Sequence, residues 1–251
     1  MQTQSAVLMQ NPDMCGRYVS PEQAEIERAW AIGRRNHPSF QRRYNTTPDA
    51  LVPILRAEDD DTLALDAARW GFVPHWWKDG QAPRNTINAR VETAADKPMW
   101  RTAFQRARCV LPAVGWYEWA QRSGASTGGK PSPKQPWFFA ASDGALLAFA
   151  GLWSLRPGPD GECTLTVAIL TRPADGPMAE VHARMPVLVP ATLQAQWLDP
   201  GMRDARRLAS TVAEQSVTTV TQRPVRRLVN HPQNEGPELI EPLPESGDPA
   251  A

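Results

Sequence analysis

The chain has 251 residues, 41% of them hydrophobic, with equal numbers of acidic and basic residues and three cysteines. This length and apolar content predict one sizeable globular domain, or at most two small ones. The chain has no uninterrupted apolar run of about 18 residues, which excludes a membrane-spanning helix. Its zero net charge argues against strong whole-molecule attraction to nucleic acid. The scattered cysteines predict neither a disulfide framework nor a metal site, and they favour a reducing cytoplasm.

Residues 1–13 have no periodicity and are expected to be disordered. The segment that follows, Met14-Cys15-Gly16-Arg17-Tyr18, looks like a protein start inside the chain. If Met14 is removed, Cys15 carries a free α-amine and a free thiol on neighbouring carbons. The amine, which titrates near ~7.7–8.0, can condense with an aldehyde, and the thiol can then close a thiazolidine ring. The alternative is that Cys15 is a small buried hydrophobic residue.

The first predicted element is a helix. Ser20 is the expected N-cap, Pro21 the first helical residue and Gln23 the third residue of a capping box. This helix is expected to run through Trp30 and to end at Gly33.

Apolar alternation between turn signals predicts most of the remaining elements. The predicted strands are 51–55, 62–70, 109–119, 137–141, 146–153 and 163–170. The predicted helices are 96–106, 191–198 and 202–215, the segment 123–136 is a predicted hairpin loop, and the tail 241–251 is expected to be disordered. Many strands with a few scattered helices predict a single α+β domain around a largely antiparallel sheet that could close into a barrel.

Three later segments place polar residues where a hydrophobic core would not. Asn88 begins an Asn-Ala-Arg motif, Glu118 lies between aromatic residues at the end of an apolar strand, and His182 precedes another apolar run. Taken singly, Asn88 could be a turn residue, Glu118 a solvent-facing strand residue and His182 a surface histidine. The adjacent pair Trp76 and Trp77 lies in a segment that predicts an irregular loop.

Together with the Met14 segment, these motifs resemble the SOS response-associated peptidase family of abasic site processing proteins. The ordered set spans Met14 to about Ile240, which implies one catalytic and single-stranded DNA-binding domain over 14–240. The resemblance implies a DNA-damage protein that covalently captures abasic sites in single-stranded DNA, without a metal or another cofactor. A cytoplasmic, nucleoid-associated monomer is expected.

The resemblance also implies roles for the polar residues. The amine and thiol of Cys15 would attack the open-chain aldehyde of an abasic site and form a stable thiazolidine. Asn88 would hold the sugar or the forming ring by hydrogen bonds, while Glu118 and His182 would transfer protons. A carboxylate among tryptophans is expected to have a raised pKa, which suits a proton donor near neutral pH.

The expected DNA contacts are aromatic and basic. Trp76, Trp77 and Trp119 would stack on or wedge against bases, each stack being worth about 1–3 kcal/mol. Arg17 and Arg90 would bind phosphates close to the lesion, which positions the strand without reading its sequence.

The chain departs from the family pattern at its start. In the family the cysteine follows the initiator methionine directly, whereas thirteen residues precede Met14 here. While these residues stay attached, the Cys15 nitrogen is an amide and no thiazolidine can form. Translation could begin at Met14, residues 1–14 could be a self-cleaved propeptide, or the chain could use the thiol alone.

Two other functions remain open on the residues alone. In a cysteine peptidase, Cys15 would be the nucleophile and His182 the base, oriented by Asn88 or Glu118; cleavage of peptides in trans would favour this hypothesis. In a non-catalytic module that binds single-stranded DNA, Cys15 would be dispensable.

Overall fold

The structure is a computed structural model that describes residues 16–37, 39–58, 62–78, 83–120, 134–157, 162–216 and 220–243. Cys15, residues 1–13, most of the predicted hairpin loop and residues 244–251 lie outside the described residues. The expectations for these segments therefore stay predictions.

Strands dominate the described part of the chain. They are β1 Tyr18–Ser20, β2 Arg34–Arg35, β3 Arg43–Thr46, β4 Leu51–Ala57, β5 Leu63–Trp70, β6 Asn88–Arg90, β7 Arg108–Ala113, β8 Gly115–Ala120, β9 Gln135–Ala141, β10 Leu147–Pro157, β11 Cys163–Pro173, β12 Arg184–Pro186 and β13 Val220–Pro224.

The α-helices are short and separate. They are α1 Gln23–Ala29, α2 Val91–Ala94, α3 Arg101–Arg106, α4 Gln194–Leu198 and α5 Ala205–Glu214. In the described ranges, 3-10 turns supplement them at Gly176–Glu180, Ala191–Leu193, Arg227–Asn230 and Pro237–Leu239. Within the described ranges, no helix is long and apolar enough to cross a membrane.

Five strands of the larger sheet form a closed ring. β11 pairs with β10, β10 with β7, β7 with β4 and β4 with β5, all antiparallel. The parallel pairing of β5 with β11, through Arg69 opposite Thr166 and Trp70 opposite Val167, completes the circuit. The α+β, barrel-like, largely antiparallel fold predicted from the sequence is therefore confirmed.

A second sheet packs on this ring, in the strand order β13-β9-β8-β1-β3. Side chains alternate between the two faces of a strand, so each ring strand contributes side chains to two hydrophobic clusters. In β11, Ile169 packs in a cluster with Trp116 of the second sheet, whereas its neighbour Leu170 packs in a cluster with Trp197 of α4. The second sheet thereby brings β1 and β8 against the ring.

The single strand predicted over 109–119 is two strands in different sheets. β7 pairs with β10 of the ring and β8 pairs with β9 of the second sheet, so the chain changes sheet at Val114. Both strands are buried and apolar, which hides the break from sequence periodicity. A Cβ added at Gly115 would lie 2.2 Å from the backbone oxygen of Phe139, so only glycine fits where β8 begins.

The first helix also begins later than predicted. Ser20 is the last residue of β1, where it pairs with Arg43, so it does not cap the helix. The N-cap is Glu22, which forms a capping box with Glu25, and the helix ends at Ala29. The expectation of a helix here is confirmed, while the predicted cap and start are wrong because strand pairing uses the predicted cap residue.

The other predicted helices are shorter than expected. The segment 96–106 is helical only in α3, and the segment 191–198 begins as a 3-10 turn before α4. The last helix begins at Ala205 because the Asp204 side chain accepts a hydrogen bond from the Arg207 backbone N–H.

One arginine of the core joins two helix ends. Arg108 is 3% exposed and donates hydrogen bonds to the backbone oxygens of Phe104 and Gln105 in the last turn of α3 and of Trp197 and Asp199 at the end of α4. Helix C-termini leave carbonyl groups without helical partners, and this guanidinium satisfies them. Its burial lowers the pKa of Arg108 from its usual value.

The two cysteines in the described ranges differ in their surroundings. Cys109 is fully buried in β7, and burial raises the pKa of its thiol, which suits a structural role. Cys163 is exposed at the first residue of β11, so packing does not explain it.

Candidate active site

Two predicted site residues from distant parts of the chain meet at the barrel. The Nδ1 atom of His182 lies 3.9 Å from the Oε1 atom of Glu118. Glu118 is 3% exposed in β8, and the side chain of His182, just before β12, is 14% exposed. The separation exceeds a hydrogen bond, but one intervening atom of a reacting molecule can connect the two groups.

The backbone of Arg184 holds the imidazole of His182 in place. Its N–H lies 3.1 Å from Nδ1 and its carbonyl oxygen lies 3.0 Å from the same atom. An unprotonated Nδ1 can accept from the N–H, and a protonated Nδ1 can donate to the carbonyl. The ring can therefore change its protonation state without losing its position.

The side chain of Arg184 ties two further elements together. Its guanidinium donates to both carboxylate oxygens of Glu92, at 2.6 and 3.0 Å, and to the backbone and hydroxyl oxygens of Thr171, at 2.6 and 3.1 Å. The sequence prediction assigned no role to Glu92, although it follows the Asn-Ala-Arg motif. Thr171 gave no signal because it lies in a mainly apolar strand.

The end of β11 brings Asn88 to the same region. β6 pairs in parallel with one edge of β11, placing Asn88 opposite Ile169 and Arg90 opposite Thr171. β12 pairs with the other edge, placing Pro186 opposite Thr171. Asn88 is 3% exposed, whereas Arg90, at the start of α2, is exposed and available to an anion.

The tryptophan pair lies in an irregular loop after β5, as predicted. Trp76 is 44% exposed, and its ring centroid lies 5.9 Å from that of Trp77 at an interplanar angle of 55°. The loop is fixed to the barrel by a 3.0 Å hydrogen bond from the Val73 N–H to the hydroxyl of Thr166. Exposed aromatic rings on an anchored loop suit base stacking, which stays a prediction.

Arg17 occupies a different environment from the one expected. Its guanidinium is buried, with the residue 4% exposed, and donates to the side-chain oxygen of Asn45 and the backbone oxygen of Val229, both at 2.7 Å. It also lies 5.7 Å from the ring centroid of Trp119, whose indole N–H donates to Asn230 at 2.7 Å. Both side chains, which the sequence analysis assigned to DNA contacts, are therefore also bound within the protein.

The predicted nucleophile Cys15 lies outside the described residues, but the residues that follow it in the chain are described. The backbone N–H of Tyr117 donates to the carbonyl of Arg17 at 3.0 Å, so the chain that follows Cys15 runs beside the strand that carries Glu118.

The pairing of Glu92 with Arg184 predicts a pH-dependent contribution to stability. Partial burial acts to raise the pKa of Glu92, but hydrogen bonds from Arg184 and the backbone, with the charges of Arg184 and Arg90, outweigh it and lower that pKa below 4.5. A lowered carboxyl pKa stabilises the folded state above the unfolded-state value, and this stabilisation is lost as the pH falls through the folded-state pKa.

Glu92→Gln should therefore be less stable than the wild type at neutral pH, and the difference should shrink in acid. Urea unfolding at neutral pH and below the lowered carboxyl pKa measures both values. Glu241→Gln, at an exposed position, is the control and should show little difference at either pH. A wild-type advantage that stays constant into acid would contradict the prediction.

Sequence comparisons show the relationships of the chain. The family described as SOS response associated peptidase (SRAP) matches residues 14–232. The abasic site processing protein YoqW of Bacillus subtilis is 32% identical over 235 residues, which cover 91% of this chain and 99% of that protein. YedK of Escherichia coli, with the same description, is 31% identical over 242 residues, covering 92% of this chain and 100% of that protein. HMCES of Mus musculus is 26% identical, covering 91% and 76%.

Solved structures agree with this relationship. A phage-related protein from Bordetella bronchiseptica is 30% identical with a TM-score of 0.64, covering 84% of this chain and 94% of that one. A protein from Bacteroides thetaiotaomicron, at 21% identity, has the same fold with a TM-score of 0.66, covering 79% and 84%. By the family match over most of its length and by these relatives, the chain belongs to the SOS response associated peptidase family.

Proposed function

We propose that this protein processes abasic sites in single-stranded DNA by capturing them covalently at Cys15. The relatives described as abasic site processing proteins support this substrate. The observation that carries the proposal is the Glu118–His182 pair, whose side chains lie 3.9 Å apart, with Glu118 on the strand that runs beside the chain that follows Cys15. A proton-transferring pair suits the condensation of an aminothiol with an aldehyde.

The proposed reaction forms two bonds to one carbon. The α-amine of Cys15 adds to the aldehyde carbon of the open-chain abasic sugar and gives a carbinolamine. Loss of its hydroxyl as water gives an imine, and the sulfur then adds to the imine carbon while the thiol proton passes to the nitrogen. The product is a thiazolidine, and the sum of the reaction is the loss of one water without a change in oxidation state.

Each step needs a proton to arrive or leave, and the site supplies the groups for it. Glu118 would protonate the departing hydroxyl, and His182 would accept the proton released by the attacking amine or the thiol. The Arg184 backbone keeps the imidazole in place in either protonation state. Asn88 would hold the sugar or the forming ring through its side-chain amide, which can both donate and accept.

The DNA strand would be held by residues at the rim of the site. Trp76 and Trp77 would stack on or wedge against bases, and the exposed Arg90 would bind a phosphate. Trp119 is partly buried and contacts Arg17 and Asn230, so it would stack on a base through the exposed part of its ring. Because Arg17 is buried and bound within the protein, we do not assign it to phosphate binding.

The test uses the full chain and a form that starts at Met14, each incubated with single-stranded DNA containing one abasic site. We expect the Met14 form, after methionine removal, to give a heat-stable adduct on a denaturing gel. Its intact mass should equal the sum of the two reactants less one water. The matched Cys15→Ala form should give no adduct.

The full chain distinguishes the interpretations of residues 1–14. An adduct whose mass lacks these residues would show that they are removed by self-cleavage. No adduct from the full chain alone would place the functional start at Met14. If neither form reacts with the DNA, the proposed function is wrong, and cleavage of peptides in trans would then favour the cysteine peptidase.

A further inference from the structure

A buried polar cluster includes the second described residue of the chain, Arg17. We call it the Arg17–Asn45 cluster; it consists of these two side chains and the turn at 229–234. One guanidinium nitrogen of Arg17 donates to the side-chain oxygen of Asn45 and to the backbone oxygen of Val229, both at 2.7 Å. Arg17 comes two residues after Cys15, so this contact fixes the chain close to the proposed nucleophile.

Asn45 organises the turn at 229–234. It is fully buried in β3, and its side-chain nitrogen donates to the backbone oxygens of Val229 at 3.4 Å and of His231 and Asn234 at 3.0 Å each. An asparagine side chain can accept from an arginine and donate to carbonyls at the same time, whereas an ionised aspartate can only accept. The residue type therefore matches both of its tasks.

The cluster also reaches the strand that carries Glu118. Trp119 follows Glu118, and its indole N–H donates to the side-chain oxygen of Asn230 in the same turn at 2.7 Å. Its ring lies 5.7 Å from the guanidinium of Arg17, and the Tyr117 N–H donates to the Arg17 carbonyl. The cluster thus joins four separate segments: the start of β1, β3, β8 and the turn.

A buried guanidinium is a costly way to hold segments together. Removing a charged group from water carries a penalty that its new contacts repay only when their geometry is good, and apolar packing at such a site is often as stable or more stable. Burial accordingly lowers the pKa of Arg17. Stability alone is thus a weak reason for an arginine at this position, while fixed geometry beside a reacting group is a strong one.

We propose that Arg17 and Asn45 are positioning residues, which hold the start of β1 against the 229–234 turn and beside the strand that carries Glu118, so that the chain leading to Cys15 is held in one geometry. This inference rests on the proposed function and assigns to Arg17 a role other than phosphate binding. Displacing reacting groups by about 1 Å can slow a reaction about 100-fold. The cluster would supply this positional control without touching the DNA.

The test measures crosslinking rates of the Met14 form at increasing protein concentration, for the wild type, Asn45→Asp and Arg17→Lys. Asn45→Asp keeps the shape and the acceptor for Arg17 but removes the donors to the turn. Arg17→Lys keeps the charge but loses the planar guanidinium. We expect the limiting rate to fall about 10- to 100-fold, while the half-saturating concentration and the affinity for DNA bearing a tetrahydrofuran analogue stay unchanged.

Two controls separate positioning from general damage. Arg108→Lys alters an equally buried arginine that donates to backbone oxygens elsewhere; it should lower thermal stability without changing the limiting rate. Reaction of the N-terminal aminothiol with free formaldehyde should proceed alike in all variants, because a small aldehyde needs no positioned partner.

The outcomes distinguish this inference from the proposed function. If the wild type forms no adduct, the proposed function is wrong and the positioning role falls with it. If the wild type reacts and both cluster variants reach its limiting rate, only the positioning role is overturned. The positioning role would also be overturned if the limiting rate of the cluster variants falls only in proportion to their folded fraction. The same holds if these variants lose only affinity for DNA.

Discussion

Glu118→Gln should slow the formation of the abasic-site adduct by about 100- to 10,000-fold, the range that proton transfer by a positioned side chain contributes. Glutamine preserves the size of the side chain, but its amide cannot release or take up a proton in this way. Glu118 is 3% exposed, so water has little access to the site and cannot readily take over the proton transfer. Single-turnover crosslinking of the Met14 form, followed on denaturing gels, measures the loss.

The control for this substitution is another buried carboxylate. Asp66 is 5% exposed in β5 and pairs with Arg56 at 2.8 Å, and neither residue is assigned to the site. Asp66→Asn should lower the stability and leave the crosslinking rate of the folded protein unchanged. Wild-type crosslinking by Glu118→Gln, or a loss fully explained by weaker binding to a tetrahydrofuran analogue, would remove Glu118 from the proposed chemistry.

His182→Gln should cause a loss of similar size, and combining it with Glu118→Gln should add little. The two groups lie 3.9 Å apart, so we expect them to transfer protons as one unit. Residues that act as a unit show strongly non-additive losses, and the double variant should be within about twofold of the slower single variant. The same single-turnover assay on all four proteins completes the cycle.

The cycle also tests the geometry of the site. If the losses multiply, Glu118 and His182 act in independent steps, and the contact between them has no catalytic meaning. His182→Gln should keep its affinity for the tetrahydrofuran analogue, because the expected DNA contacts belong to other residues. Thermal melts of each variant show whether a slower rate reflects unfolding.

Local patterns predicted the long elements of the fold well. β4, β5, β9, β10 and β11 lie where apolar alternation placed them, although β4, β10 and β11 extend beyond their predicted ends and β9 begins two residues early. Long strands carry enough alternating residues for the pattern to be read from the sequence. β6 and β12 were missed because each has three residues and exists through its pairing with β11.

Packing decided the boundaries that local signals placed wrongly. Ser20 looks like a helix cap, but it pairs with Arg43 in the second sheet. The buried run from β7 into β8 reads as one strand, yet a change of sheet divides it at Val114. Both errors share one cause: strand pairing joins residues that are distant in sequence, and local propensity does not report it.

The sequence by itself determined the family resemblance, the set of reactive residue types and the barrel-like α+β class, because these depend on motifs and periodicities carried by adjacent residues. The tertiary structure decided which of these residues act together. It placed Glu118 beside His182 and Arg184 beside Glu92. It also placed Arg17, which the sequence assigned to phosphate binding, in the buried Arg17–Asn45 cluster. Burial and long-range hydrogen bonding are set by the packing of the two sheets, so local sequence does not report them.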